Sequence, residues 1–258
     1  MLGKKVLYLL LMLCMLLGSM VMAFASDDPL EEITAALDTA YVSKYIWRGN
    51  VLNPDPAFQP SLTFSHSSGL SYNLWASMDT TDIAGQSGSI TEVDHTLSYE
   101  WNLKSVDMAA GYVYYAFPNT TFASTSEVFA SACLGGKYSP TLSVNYDVDE
   151  AKGAYFSLAG GYVCSMPWKK NAATEMNLST RVGFATSDYN EFYFFGTDKS
   201  AFTDLVLTAS LPYQAGKWSV TPSVSYSIVL DGTLRDALSA NNMDSDNFYG
   251  GVTLSVDF

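Results

Sequence analysis

Trp218-Ser219-Val220-Thr221-Pro222-Ser223-Val224-Ser225-Tyr226-Ser227-Ile228 is the stretch that decides the fold class. Apolar and hydroxyl side chains alternate along it, and a strand sends successive side chains to opposite faces. The segment therefore predicts a β-strand with one greasy and one hydroxylic face. The same alternation runs through Phe58-Pro60-Leu62-Phe64, Leu142-Val144-Tyr146-Val148, Met176-Leu178-Thr180-Val182-Phe184 and Phe248-Gly250-Val252-Leu254-Val256-Phe258. A soluble sandwich or lipocalin-like barrel also alternates, but its apolar faces meet across a core. Here the faces opposite the apolar ones are rich in Ser, Thr, Asn and Gly, which suits a wet interior and a lipid-facing outside.

Strands are predicted at 39–50, 57–66, 70–80, 91–103, 106–117, 126–138, 141–149, 153–165, 173–186, 201–212, 217–229 and 246–258. The expected fold is all-β: a transmembrane antiparallel up-and-down β-barrel of about 12 strands, an even number as such barrels favour. Connections alternate between short turns, such as Ser67-Ser68-Gly69 and Ser139-Pro140, and longer loops near 51–56, 79–90, 118–125, 149–153, 187–200 and 230–245. The long loops are expected outside the cell and the short turns, with both mature termini, in the periplasm. Tyr41, Tyr45, Trp47, Tyr99, Trp101, Tyr112, Tyr114, Trp168 and Trp218 suit aromatic girdles at the two interfaces.

The 258 residues are 48% apolar and 15% charged, with a mean hydropathy of +0.09. That excludes a disordered polar chain. Asp and Glu number 26 against 13 Lys and Arg, and a polyanion of net charge −13 repels nucleic acid. Lys4 and Lys5, the apolar run Val6 to Val21 and Ala23-Phe24-Ala25 form a signal-peptide pattern, so residues 1–25 are expected to be cleaved. Residues 26–38 are expected as a short periplasmic segment, with a helix suggested by Ile33, Ala36 and Leu37, and residues 39–258 as the outer-membrane barrel. No later stretch approaches the roughly 20 apolar residues of a membrane helix.

Strand phase places Arg48, Glu100, Glu127, Asp147, Arg181 and Asp204 on the inward face as lumen or constriction candidates. The expected external loops carry Asp82, Asp149, Glu150, Asp188, Glu191, Asp198, Asp231 and Asp244, an acidic mouth able to concentrate cations. Cys133 and Cys164 fall on opposite faces of strands separated by a third, beyond disulfide reach, so free thiols are expected. No Cys/His cluster predicts a metal, and no cofactor is expected. His66 and His95 are the histidines present; neither has a nucleophile on its own strand face in a catalytic context, so no enzymatic activity is expected.

The last strand resembles the terminal recognition strand of bacterial outer-membrane proteins, with Phe258, Val256 and Leu254 on one face as a membrane-insertion signal. A second resemblance lies in Tyr41-Val42-Ser43-Lys44-Tyr45-Ile46-Trp47-Arg48-Gly49, Pro56, Gln59, His66-Ser67-Ser68-Gly69-Leu70 and Trp75-Ala76-Ser77. This series resembles the TorF-type, or Gcw_chp, family of bacterial porins, whose first hairpin carries V-S-x-Y-x-x-R-G and an H-S-S-G turn before a Trp-containing strand. The likeness is carried by residues 41–77 and implies location and fold; it brings no catalytic residues. The expected partners are membrane lipid, the outer-membrane insertion machinery and small solutes. Two functions fit: a diffusion channel for small cationic or neutral solutes, or a closed structural barrel whose acidic loops bind cations, lipid headgroups or a partner.

Overall fold

The computed structural model describes residues 33–82, 87–165 and 175–258. The expected signal peptide, residues 26–32 and the expected girdle residue Trp168 lie outside them. Among the described residues the strands are β1 (Ile33–Val42), β2 (Tyr45–Trp47), β3 (Asn50–Asn53), β4 (Ala57–His66), β5 (Leu70–Asp79), β6 (Ile90–Leu103), β7 (Val106–Ala116) and β8 (Thr125–Leu134). They continue as β9 (Thr141–Asp147), β10 (Ala154–Ser165), β11 (Glu175–Ala185), β12 (Ala201–Ser210), β13 (Tyr213–Ala215), β14 (Trp218–Val229) and β15 (Asp246–Asp257). Helices α1 (Ser187–Tyr193) and α2 (Gly232–Ala240) sit in the last two long loops.

Each long strand pairs antiparallel with its neighbours in sequence, β12 pairs with β14, and β1 pairs with β15. The result is a closed barrel of twelve strands, with the short β13 added beside β14 and β2–β3 forming a separate hairpin. Closure gives each of the twelve barrel strands a neighbour on both sides, which a sheet in hydrocarbon requires.

The register sorts the faces. Leu37 lies opposite Leu62 and Val256, Leu62 opposite Leu74, and Leu142 opposite Leu158, all outward. Thr63 opposes Asn73, Asn73 opposes Thr96, and Ser131 opposes Ser143, all inward. The Asn73 amide bridges the Ser61 and Thr63 hydroxyls at 2.7 Å each, a polar ladder on the lumen wall. Many outward apolar side chains stay uncovered, with Leu142 59% and Phe248 69% exposed. So greasy a surface would drive aggregation in water and is at home in lipid.

The first strand departs from expectation. Ile33, Ala36 and Leu37 are strand residues, because the backbone of 33–42 is claimed on both sides, by β15 and by β4, to close the ring. Among the described residues the barrel therefore starts at Ile33, not at residue 39. The predicted strand 39–50 ends at Val42, and the chain turns inward to make the β2–β3 hairpin.

Candidate functional site

The hairpin reverses at Arg48-Gly49, whose φ angles of 47° and 90° are those of a two-residue turn with both central residues left-handed. Gly49 is required twice over. A Cβ there would lie 3.0 Å from Val229 Cγ2 and 3.2 Å from Asp204 Cβ, so the tip touches the wall formed by β12 and β14. Arg48, 7% exposed, donates through Nη1 and Nη2 to Glu127 Oε1 and Oε2 on β8 at 2.6 and 2.8 Å. Nη1 also donates to the Tyr189 hydroxyl at 3.0 Å, and the guanidinium lies 4.4 Å from the ring centroids of both Trp47 and Tyr155.

Glu127, with no exposed surface, further accepts from the Tyr115 hydroxyl at 2.9 Å and the Asn145 amide at 3.2 Å. Asp147, equally buried, accepts from Thr125 and Tyr193 hydroxyls and from the backbone N–H groups of Asp149 and Ala151. Asp204 accepts from Tyr155, Thr203 and Arg181 Nη2 at 2.9, 3.0 and 3.1 Å. Buried carboxylates so fully bonded are tolerated; the same groups without partners would cost several kcal/mol, about 3–5 for one broken pair. Burial holds the Tyr189 and Tyr193 hydroxyls of α1 protonated far above their ordinary range, so the Tyr193 hydroxyl serves Asp147 as a donor.

Both helices add to this end. Tyr189 stacks near Tyr155, Tyr193 and Trp47 at 5.8, 4.4 and 6.4 Å, and Gly153 lets the α1 backbone pass where a Cβ would strike Tyr189. Phe194, Val229, Leu234 and Leu238 form a small apolar core under α2. On the opposite wall Tyr45 lies 5.5 Å from Trp75, and Asn53 donates to Asp79 at 2.7 Å. The long-loop end of the lumen is thus occupied by the chain's own first loop.

Of the inward candidates, Arg48, Glu127, Asp147, Arg181 and Asp204 are brought together at this end, and Glu100 is not; it faces inward on β6 near the short-turn end. Arg48 reaches the cluster from a hairpin tip and not from a barrel strand. Glu92, 6% exposed, and Asp94 also face inward beside Tyr45 and were missed as candidates, although the phase of β6 places them there. Among the mouth acids, Asp82, Asp149, Glu150, Asp188, Glu191, Asp198 and Asp244 are exposed in long loops. Asp231 instead pairs with Lys199 at 2.7 Å and caps α2 through Thr233 and Leu234 N–H. Asp79, read as a loop acid, is buried at the end of β5.

Phe258 is joined to β1 by its N–H donating to the Ala35 carbonyl at 2.8 Å; Leu254 and Val256 face outward opposite Thr39 and Leu37. His95 is outward and bonded to the Tyr72 hydroxyl at 2.7 Å, while Ser98 faces inward. Below the hairpin the lumen opens into a cavity of about 400 Å³ lined by Ile46, Thr141, Ala159, Ser179, Arg181, Val206, Thr208 and Tyr249.

The model of a bacterial protein family of unknown function, Gcw_chp, matches residues 27–246. No curated protein sequence matches the chain. Among solved structures, the KdgM porin is similar over 86% of this chain and 99% of its own, with 10% identity and a TM-score of 0.52. The KdgM porin in complex with disordered oligogalacturonate is similar over 87% of this chain and 99% of its own, with 9% identity and a TM-score of 0.51. At such identities the likeness is one of fold: a closed barrel of the outer-membrane porin kind.

Proposed function

The chain belongs to the Gcw_chp family of bacterial proteins, and we propose that it works as an outer-membrane porin passing small cationic or neutral solutes by diffusion. The observation that carries this reading is the inward face. It is hydroxylic and acidic, with Asp38, Glu92, Asp94, Glu100, Glu127, Asp147 and Asp204 set against one strand arginine, Arg181. Such a wall favours cations and uncharged polar solutes and disfavours polyanions like the oligogalacturonate held by the similar porin. The long loops with their exposed acids face the cell exterior, and outer-leaflet and inner-leaflet lipid cover the apolar belt. Insertion relies on the outer-membrane assembly machinery reading the strand that ends in Phe258.

The buried Arg48–Glu127 pair supports a second reading, a barrel that rests closed, with its acidic loops binding cations, lipid headgroups or a surface partner. Single-channel recording of the refolded mature protein in a planar bilayer, with reversal potentials in asymmetric KCl, separates the two. Stable steps with a cation-selective reversal support the porin. Silence from a folded, heat-modifiable barrel overturns it in favour of the closed form.

A further inference from the structure

Arg181 is the one Lys or Arg in the twelve barrel strands of the described chain, and it is not used up by its partner. A guanidinium has five N–H donors. Arg181 makes a single ion-pair contact, Nη2 to Asp204 Oδ2 at 3.1 Å; its Nε is buried without an acceptor, and the side chain, 38% exposed, meets the lumen through its terminal nitrogens. Arg48 is the contrast, with two bonds to Glu127, one to Tyr189 and a side chain 8% exposed. Asp204 is itself shared, since it also accepts from Tyr155 and Thr203. The guanidinium therefore holds back donors and positive charge, and it lines the 400 Å³ cavity beneath the hairpin.

Hydroxyls fringe part of that cavity, beside Ala159 and Val206. Thr141, Ser179 and Thr208 line it, Thr208 Oγ1 lies 2.8 Å from Ser225 Oγ, and Tyr249 closes one side while Ile46 of the hairpin roofs it. We propose that this cavity is a solute-binding site for the carboxylate group of a small molecule, the carboxylate taken by the unspent edge of Arg181 and its polar remainder by the hydroxyl fringe. The planar fork of a guanidinium matches a carboxylate better than it matches any neutral group. The acidic wall around the site disfavours solutes of net negative charge, so the solute it selects is a zwitterion, neutral overall, whose carboxylate meets Arg181 and whose ammonium faces the acids. This inference rests on the reading of the lumen as a solute path.

Chemical modification of arginine tests it directly. Phenylglyoxal adducts at Arg48, Arg181 and Arg235 are followed by peptide mass spectrometry on the folded protein, with sodium acetate, glycine, ethanolamine or glycerol present. Arg235, exposed on α2, and Arg48, buried, are the internal controls. For millimolar affinity, a probe at ten times its Kd slows adduct formation roughly tenfold. Glycine is expected to protect Arg181 and acetate to protect it less, with ethanolamine and glycerol leaving it unprotected. Protection by glycine supports the site; protection by acetate and not by glycine overturns it. An Arg181 that is unreactive throughout, or reacts equally under all four conditions, overturns it. Labelling reads binding and conductance reads passage, so a silent bilayer with Arg181 protected sinks the channel reading while leaving the site.

Discussion

Arg48 and Glu127 are 79 residues apart in the chain and meet in a two-pronged ion pair of 2.6 and 2.8 Å, one at the tip of an inward hairpin and the other on the far wall of the barrel. The pair ties the first loop across the lumen. Its environment is dry, with Glu127 fully buried and Arg48 held between the rings of Trp47 and Tyr155.

Glu127→Gln and Arg48→Gln each leave a buried charge without its partner, which costs about 3–5 kcal/mol. Each should lower the temperature at which the barrel unfolds on heat-modifiability gels, and each should release the hairpin and raise single-channel conductance. Arg48→Met combined with Glu127→Leu removes both charges, and should regain much of the stability while conductance stays high. A double variant no more stable than the singles would show that the pair does not act as a unit.

The faces of β6 make a clean comparison, because Leu97 is outward and 51% exposed whereas Thr96 faces inward opposite Asn73. Leu97→Arg places a charge in lipid and should cost ~2–4 kcal/mol in reversible urea unfolding. Thr96→Arg enters an acidic, wet lumen and should cost much less. Equal penalties would mean that the register of the sheet is wrong.

Cys133 faces inward opposite Thr141, and Cys164 faces outward opposite Met176; both thiols are free. In a bilayer a charged maleimide should label Cys133 and spare Cys164. After unfolding without reductant, intact mass should show alkylation of both. A pair that stays unreacted would require a disulfide and overturn the strand order between them.

Asp231 offers a pH test outside the membrane. Its carboxyl is held below the ordinary carboxylate range, chiefly by the hydrogen bond from the Lys199 ammonium and with help from the Thr233 and Leu234 N–H groups, while what burial it has works the other way. A depressed folded-state value means that the contribution is present above the ordinary carboxylate range and is lost as pH falls through the depressed one. Protection of the α2 amides from hydrogen exchange should therefore persist through neutral pH and fall on acidification. Asp231→Asn should remove this acid step while keeping part of the cap.

Much of the barrel was legible in the sequence because the period of two is a local property. Trp218 to Ile228 names its own outward and inward faces, and the inward assignments of Glu127, Asp147, Arg181 and Asp204 follow from counting. The same rule misreads residues 43–53. Tyr45, Trp47 and the residues after Gly49 alternate like any strand, and nothing local tells a strand in the wall from a hairpin inside it. The signal that was present is Arg48-Gly49, a turn dipeptide where an unbroken strand would have none.

By itself, then, the sequence determined the chemistry of each face, the number of long strands and the alternation of short turns with long loops, since all of these are set by neighbours within a few residues. Tertiary structure alone decided that residues 33–38 belong to the barrel wall, that the first loop folds inward, that Arg48 reaches Glu127, and that Arg181 keeps donors in reserve above a cavity. These depend on how the ring closes and on which wall faces which across it. Such distances are fixed by strand shear and loop course, which alternation along one strand does not encode.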